Sequence, residues 1–282
     1  MKSATTIAQI AEERIYPWWL WPNILSLDAP LIALAWQELW AHCLAVDISW
    51  MHRVLLALAT WLAYSGDRLL DARRLKGPTE SPRHKFSHKH YLLLTKVWFI
   101  GLVIVITLGL QLSVLEIING LILLVVVACY FLIYHWQYTR AFAGSAKEIM
   151  AGTVFSAGTV FFVMTGSTLT PGIWLAFASW AGLCVMNCLS IACWDRQRDK
   201  VMEQHSLARC WIRADLWLWL WAIAVITLAI GAWSMDPRLV PIAAALSLSA
   251  LALSKLTNAE GDDLRRVLAD VLLLTPMLLL LL

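Results

Sequence analysis

Nine apolar stretches divide the chain, and each is long enough, or nearly so, to cross a lipid bilayer as a helix. The hydrocarbon core of a bilayer is about 30 Å thick, and crossing it takes about 20 helical residues. With 60% hydrophobic and 15% charged residues, the chain of 282 residues departs strongly from soluble globular proteins. We therefore predict an all-α, polytopic membrane protein with nine transmembrane helices in a single domain over residues 1–282. The predicted spans lie near residues 28–46, 52–71, 91–111, 114–135, 148–167, 172–194, 214–233, 238–255 and 265–282.

Residues 1–27 precede the first predicted span, and we expect them to form a cytoplasmic or interfacial segment. Part of this segment, YPWWLWP at residues 16–22, is too short to cross a membrane. Tryptophan and tyrosine favour the headgroup level of a bilayer. The aromatic residues therefore predict a segment that lies at the membrane surface.

The basic residues are distributed very unequally between the two sides of this layout. Of the 22 Lys and Arg residues, only Arg53 and Arg238 fall on one side, which leaves 20 on the other. Basic residues are enriched in the loops that face the cytoplasm. We therefore expect a multi-pass protein of the inner or plasma membrane, with the loops after spans 2 and 6 in the cytoplasm.

These two loops begin with the same pattern, Asp-Arg-x-x-Asp. The first holds Asp67 and Asp71, and the second holds Asp195 and Asp199. The members of each pair are four residues apart, so on a helix they share one face. The C-terminal end of a helix disfavours an exposed Asp by about 0.3–1 kcal/mol. A divalent cation would offset this cost, and Mg²⁺ prefers a few carboxylate oxygens together with water and phosphate oxygens.

One such pair at a membrane boundary is more often solvated charge that neighbouring arginines balance. Two matching pairs on the same side of the membrane favour a shared site instead. Spans 2 and 6 end on the same side, so we expect the two pairs to face each other.

The first Asp pair and its position resemble the UbiA-type intramembrane prenyltransferase superfamily. Members of that family have nine transmembrane helices and two Asp-rich motifs, which follow helices 2 and 6. The first motif is roughly Asn-Asp-x-x-Asp-x-x-x-Asp. Asp67 and Asp71 match its last two Asp, whereas Ala63 and Tyr64 stand where the family has Asn and Asp.

The rest of the chain is similar to the same family. The second family motif often has an Asn, then an Asp eight residues later and another Asp after four more, and Asn187, Asp195 and Asp199 follow this spacing. The stretches 26–41 and 147–158 resemble the first span of the family and the start of its fifth. The resemblance therefore covers essentially the whole chain.

The resemblance implies a helical bundle around a central cavity, with Mg²⁺ as the cofactor. It implies that the four Asp of the two motifs are catalytic and bind the metal, that basic residues nearby bind the diphosphate, and that polar and aromatic residues of the spans line the substrate cavity. These residues are Asp67, Asp71, Asp195 and Asp199 for the metal; Arg68, Arg74, Lys147, Arg196 and Lys200 for the diphosphate; and Tyr64, Asn187, Trp36 and Trp61 for the cavity.

The activity that the resemblance implies is the Mg²⁺-dependent transfer of a prenyl group from a prenyl diphosphate to an aromatic or lipid acceptor within the membrane. Ionising an allylic diphosphate needs positive charge on the leaving group and a dry cavity that protects the carbocation from water. The expected partners are a prenyl diphosphate, a small hydrophobic acceptor and the lipid bilayer. No nucleic-acid partner is expected.

Other functions stay open at this stage. In an intramembrane terpene cyclase of the same fold, the cation would react internally. A cation-coupled transporter would use the carboxylates for ions, although the acids sit at one membrane face rather than in mid-bilayer. A non-catalytic relative is a further alternative. Asp28 and Glu38, in or near span 1, are either functional acids or polar contacts within the bundle.

Overall fold

The computed structural model of the protein describes residues 16–74, 82–136, 147–194, 214–256 and 262–281. This part of the chain consists of helices and contains no β-strand. Short 3₁₀ turns at Trp18–Leu20 and Pro237–Leu239 precede α1 and α10. The helices are α1 (Trp21–Ile24), α2 (Asp28–Leu44), α3 (Trp50–Arg74), α4 (Pro82–Lys89), α5 (Tyr91–Gly109), α6 (Val114–Trp136), α7 (Lys147–Thr165), α8 (Pro171–Trp194), α9 (Ala214–Met235), α10 (Val240–Lys255), α11 (Asp262–Leu272) and α12 (Thr275–Leu280).

The helices fall where the apolar stretches predict them. Each of the nine predicted spans overlaps at least one helix, so the all-α prediction is confirmed for the described residues. Among these residues, five helices are long and apolar enough to cross a membrane, which supports a membrane protein. Nine transmembrane helices remain a prediction. The five segments are Tyr91–Gly109, Lys147–Thr165, Pro171–Trp194, Leu216–Met235 and Pro237–Lys255.

The last predicted span is not one continuous helix. The chain leaves α11 before Leu273, and α12 begins at Thr275 with Pro276 in its first turn. Proline has no backbone N–H and fits only the first turn of a helix. The indole N–H of Trp36 on α2 donates a hydrogen bond of 2.8 Å to the carbonyl oxygen of Leu273 at this break. The prediction of a single helix over 265–282 is therefore wrong on this point.

Helix α8 lies at the centre of the bundle. It packs most extensively against α7 and α9. Its Trp180 stacks on Trp36 of α2, with ring centroids 4.0 Å apart and an interplanar angle of 25°. Both indoles are completely buried, and such an aromatic pair contributes about 0.5–1.5 kcal/mol beyond the area it buries. This contact ties α2 to the centre of the bundle.

The two basic residues predicted on the opposite side of the membrane both form ion pairs. Arg53 donates through Nε and Nη2 to the Glu38 carboxylate, at 2.6 and 2.9 Å. Arg238 donates in the same two-pronged way to Asp236, at 3.0 and 2.8 Å, and this hydrogen bond lowers the pKa of Asp236. The turn at Pro237–Leu239, which includes Arg238, contacts α2. Helix α2 leads into the start of α3, where Arg53 lies. The ion pairs of Arg53 and Arg238 therefore lie at the same end of the bundle. Both cations at this end are therefore neutralised by a carboxylate.

Gly152 on α7 lies directly against the backbone of α8. A Cβ atom at residue 152 would lie 2.6 Å from the backbone nitrogen of Val185 and 2.8 Å from the carbonyl carbon of Cys184. Close-packed interiors cannot absorb contacts this short without moving the backbone. Gly152 therefore sets the distance between α7 and α8. Since α7 begins at Lys147, the same contact also positions that residue.

The substitution Gly152→Ala should destabilise the protein by about 1–3 kcal/mol, because the added methyl group overpacks the α7–α8 contact. Gly158→Ala on the same helix is the matched control, since nothing lies within 4 Å of a Cβ atom at that position. The control should be neutral or stabilising by about 0.5–1 kcal/mol, as alanine favours a helix more than glycine does. Thermal unfolding in detergent micelles measures both effects, and equal behaviour of the two variants would contradict the close contact.

Candidate functional site

The first Asp pair lies where the sequence predicts it, near the C-terminal end of α3. Asp67 and Asp71 are partly buried, and their spacing of four residues places them on one helix face. The Oδ1 atom of Asp67 is buried and has no hydrogen-bond partner among the residues that the structure describes. Burying a polar atom without a partner is costly. This oxygen is therefore a candidate to bind a cation or to accept a hydrogen bond from a bound molecule.

The second Asp pair lies outside the described residues. Helix α8 ends at Trp194, so the helix leads directly to the position of the pair. The meeting of the two Asp pairs remains a prediction. Residues of the predicted site that lie outside the described part are Asp195, Arg196, Asp199 and Lys200, together with the side chain of Arg74.

Arg68, which the sequence assigns to the diphosphate, is buried and holds the N-terminal segment against α3. Its Nη1 donates to the carbonyl oxygens of Asn23 and Ile24 at the end of α1, the second at 3.1 Å. Carbonyl groups at the end of a helix have no partner within that helix. Arg68 therefore joins α1 to the site. The acids that act on its guanidinium are Asp28, Asp67 and Asp270.

Four positively charged residues act electrostatically on His84 of α4, and we call these five residues the basic cluster. The imidazole of His84 is 7% exposed. Burial, as the larger cause, and the nearby cations together lower its pKa to about 3, so His84 is neutral at neutral pH. The Nδ1 atom has no hydrogen-bond partner within the described part of the chain. In decreasing order of effect, the cations are Arg83, Arg68, Arg266 and Lys147.

The residues of the basic cluster belong to four helices, α3, α4, α7 and α11. Lys147 was predicted to bind the diphosphate, and it begins α7. Arg83 belongs to α4, and Arg266 belongs to α11 and is 4% exposed. Buried positive charges repel one another unless acids or a bound anion compensate them. The cluster is therefore suited to binding an anion with several charges.

A pair of acids, Asp28 on α2 and Asp270 on α11, lies beside the basic cluster. Their carboxyl groups act on each other electrostatically. Asn23 donates from Nδ2 to Asp28 at 2.7 Å, and the backbone N–H of Ala29 donates to the other Asp28 oxygen at 2.9 Å. Asn187 on α8 donates from Nδ2 to Asp270 at 3.4 Å. The predicted cavity residue Asn187 therefore supports an acid that the sequence did not identify.

Tyr64 borders the acid pair from α3. Its side chain is 37% exposed. Its ring meets Phe155 of α7 edge-on, with ring centroids 6.0 Å apart. Tyr64 therefore contributes to the contact between α3 and α7. The polar neighbours that act on Tyr64 are Cys188, Asp270, Asp28 and Cys184.

The two tryptophans predicted to line the cavity differ in their surroundings. Trp36 has no exposed surface and packs between Trp180 and the carbonyl group of Leu273, so the structure gives it a packing role. Trp61 on α3 is partly buried and donates from Nε1 to the Leu25 carbonyl oxygen at 3.0 Å. Trp61 therefore helps Arg68 to hold the end of α1.

Asp270 and Arg266 are among the residues of this site that the sequence patterns do not mark. They lie four residues apart on α11, so they share one face of that helix. An acid within an apolar segment is a functional candidate by default, and so is an arginine. Both charged residues are visible in the last predicted span. They belong to no repeated pattern, however, whereas the two Asp motifs repeat the same spacing.

The described residues contain no group of three or more His, Cys, Asp or Glu side chains arranged to hold a metal ion. Mg²⁺ commonly needs only one or two carboxylates, because phosphate and water oxygens complete its shell. Asp67, with its buried oxygen, and the neighbouring Asp71 meet that smaller requirement within this part of the chain.

Comparison with known proteins assigns no family to this geometry: no family model matches the chain, and no curated protein or solved structure matches it. The resemblance to the UbiA-type superfamily therefore stays a prediction from the sequence.

Acid should destabilise the protein through His84. Because the pKa of His84 is lowered to about 3 in the folded state, against about 6.5 in an unfolded chain, the folded state binds fewer protons between these values. The stabilising effect of a neutral His84 is therefore fully present above about pH 6.5 and is lost progressively as the pH falls toward about 3. His84→Gln should show a smaller loss of thermal stability between pH 7 and pH 4 than the parent.

The control for this experiment is His88→Gln on the same helix, because His88 is exposed. The control should lose stability with acid as the parent does. A His84→Gln variant whose melting temperature follows the parent at every pH would show that His84 is not held neutral by burial and by the basic cluster.

Proposed function

We propose that this protein binds a prenyl diphosphate at the basic cluster and transfers its prenyl group to a hydrophobic acceptor within the membrane. One observation carries the proposal: cations from four helices all act electrostatically on the buried, neutral His84. A diphosphate relieves the repulsion among these cations and accepts several hydrogen bonds at once. Guanidinium groups suit phosphate oxygens because their fork of N–H donors matches two oxygens.

Mg²⁺ is the metal that the resemblance implies, and the donor set of the chain fits it. Carboxylate oxygens are the hard ligands that Mg²⁺ prefers. The buried Oδ1 atom of Asp67 lacks a hydrogen-bond partner among the described residues, so it has room for such a ligand bond. Asp67 and Asp71 would hold the ion together with the pair that follows α8. When bound, Mg²⁺ would neutralise charge on the diphosphate as it leaves.

The residues of the chain then have distinct tasks in the reaction. The allylic carbon–oxygen bond breaks, and its electron pair leaves on the diphosphate oxygen. Arg83 and Arg266 stabilise the charge that develops on that oxygen, and they act strongly because the surroundings are apolar. Tyr64 and Phe155 present aromatic surface, which stabilises positive charge and keeps water away from the cation. The prenyl carbon bonds to the acceptor, and the acceptor loses a proton.

The location of the cluster at the edge of an apolar bundle suits a substrate with two unlike ends. The basic cluster lies beside α3, α4, α7 and α11, whereas the interior of the bundle is apolar. The charged head of a prenyl diphosphate needs cations, and its hydrocarbon tail needs an environment without water. A prenyl diphosphate therefore suits both environments.

The substitution Asp67→Asn should weaken Mg²⁺-dependent binding of geranylgeranyl thiodiphosphate by about tenfold or more, because a metal ligand is lost. Asp47→Asn is the matched control, since Asp47 is exposed in the loop between α2 and α3, at the other end of the bundle. Binding is measured by isothermal titration on protein in lipid nanodiscs, with and without Mg²⁺. Equal binding by the parent, Asp67→Asn and Asp47→Asn would refute the metal site.

The substitution Arg83→Gln tests the cations independently of the metal. It should weaken binding of the same thiodiphosphate both with and without Mg²⁺, because it removes a positive charge that faces the anion. Diphosphate release from geranylgeranyl diphosphate, measured with and without a membrane lipid extract, then separates two activities of the same site. Release that needs the extract supports transfer to an acceptor, and release that does not need it would favour internal cyclisation instead.

A further inference from the structure

We propose that Trp36 on α2 and Ser249 on α10 are positioning residues, which hold α11 so that Arg266 reaches the diphosphate in the basic cluster. We call Trp36 and Ser249 the α11 anchors. The inference rests on the proposed function, because the property that it explains is the affinity for the diphosphate. Both residues act through the backbone of the chain rather than on the substrate.

The break between α11 and α12 leaves two carbonyl groups without a partner in either helix. Pro276 lacks the backbone N–H that would pair with the Leu272 carbonyl oxygen four residues earlier. The N–H of Met277, four residues after Leu273, donates instead to the carbonyl oxygen of Leu274 at 3.0 Å. In an apolar bundle no water replaces the missing donors. Both carbonyl groups therefore need donors from other elements.

The α11 anchors supply these two donors. Ser249 donates from Oγ to the Leu272 carbonyl oxygen at 2.8 Å, and Trp36 donates from Nε1 to the Leu273 carbonyl oxygen, also at 2.8 Å. The side chains of both anchors are completely buried. The Oγ1 atom of Thr275, in the first turn of α12, lies 2.7 Å from the Ser249 hydroxyl oxygen. The end of α11 is therefore tied to α2 and to α10.

The α11 anchors are themselves held by α8, the helix at the centre of the bundle. Trp36 stacks on Trp180 of α8, with ring centroids 4.0 Å apart. Helix α8 also packs against α10, which carries Ser249. About two turns after Trp180, Asn187 donates from Nδ2 to Asp270 of α11 at 3.4 Å. The last turn of α11 is therefore fixed relative to α8 both directly and through the anchors.

The position of the end of α11 determines where Arg266 lies. Arg266 precedes Leu272 by six residues, which is about 9 Å along a helix. A helix is a rigid support, so a displacement at its end also displaces a side chain two turns away. Arg266 is 4% exposed and acts on His84 together with the other cations of the basic cluster. Hydrogen bonds weaken steeply with distance and angle, so a displaced guanidinium binds phosphate oxygens less well.

The first experiment compares two tryptophans that stack on each other. Trp36→Phe keeps an aromatic ring but removes the donor to Leu273, whereas Trp180→Phe removes an N–H that has no hydrogen-bond partner among the described residues. Binding of geranylgeranyl thiodiphosphate is measured by isothermal titration on the full-length protein in lipid nanodiscs with Mg²⁺. Trp36→Phe should weaken binding by about tenfold, because a buried carbonyl group loses its donor and α11 shifts. Trp180→Phe should weaken binding by less than about threefold, because its N–H holds no element in place.

The second experiment repeats the comparison at the other anchor, so poor folding of Trp36→Phe leaves the inference testable. Ser249→Ala removes the donor to Leu272. Ser254→Ala is the matched control, because Ser254 is also buried on α10 but donates to the Leu251 carbonyl oxygen of its own helix. Ser249→Ala should weaken thiodiphosphate binding by about tenfold, and Ser254→Ala should bind like the parent. Equal binding by the two serine variants would overturn the inference.

Combination with Arg266→Gln distinguishes positioning from a general loss of stability. If the anchors act through Arg266, Ser249→Ala should change the affinity of an Arg266→Gln protein by less than about twofold, because the effects of coupled residues do not add. A role in the fold alone would give independent effects that multiply. A further loss of about tenfold when Ser249→Ala is added to Arg266→Gln would therefore overturn the inference.

The parent protein separates this inference from the proposed function. A parent that does not bind the thiodiphosphate would refute the proposed function, and the positioning role with it. A parent that binds the thiodiphosphate, with both anchor variants binding it as their controls do, would overturn the α11 anchors alone.

Discussion

Charged groups inside an apolar bundle must be compensated by one another or by a ligand, and this constraint governs the whole site. The ion pairs of Arg53 and Arg238, at the other end of the bundle, show complete compensation between neighbours. At the site end, four cations act on one neutral histidine, and Asp28 and Asp270 act on Arg68 and Arg266. A region rich in cations therefore lies beside a pair of acids.

Helix α3 connects these two regions. Asp67 and Arg68 are adjacent in sequence but differ in their contacts. Arg68 donates hydrogen bonds to the carbonyl groups at the end of α1. The buried Oδ1 atom of Asp67 has no hydrogen-bond partner among the described residues. One turn earlier, Tyr64 faces the acid pair. A single helix therefore presents a candidate metal ligand, an anchor for the N-terminal segment and an aromatic side chain that contacts α7. The spacing of α7 and α8 at Gly152 fixes the other side of the same space.

The sequence predicts the helices and the first half of the site, because both depend on patterns that are local in the chain. Apolar stretches mark the helices, and the repeated Asp spacing marks Asp67 and Asp71. The acid pair and Arg266 depend instead on contacts between distant helices, which no local pattern encodes. Trp36 illustrates the same limit: its position on a predicted span fits a cavity, but stacking on Trp180 and a hydrogen bond to Leu273 place it in the core. The break before α12 depends on this contact as well as on Pro276.

We propose that the basic cluster binds the diphosphate of a prenyl substrate. The most direct measurement is a structure of the protein in lipid nanodiscs with geranylgeranyl thiodiphosphate and Mg²⁺. The account predicts that phosphate oxygens lie within hydrogen-bonding distance of Arg83 and Arg266, with the metal on Asp67. Two results would contradict this expectation. The phosphate groups could lie away from His84, or acidic side chains of the protein could pair with the basic cluster while the ligand binds elsewhere.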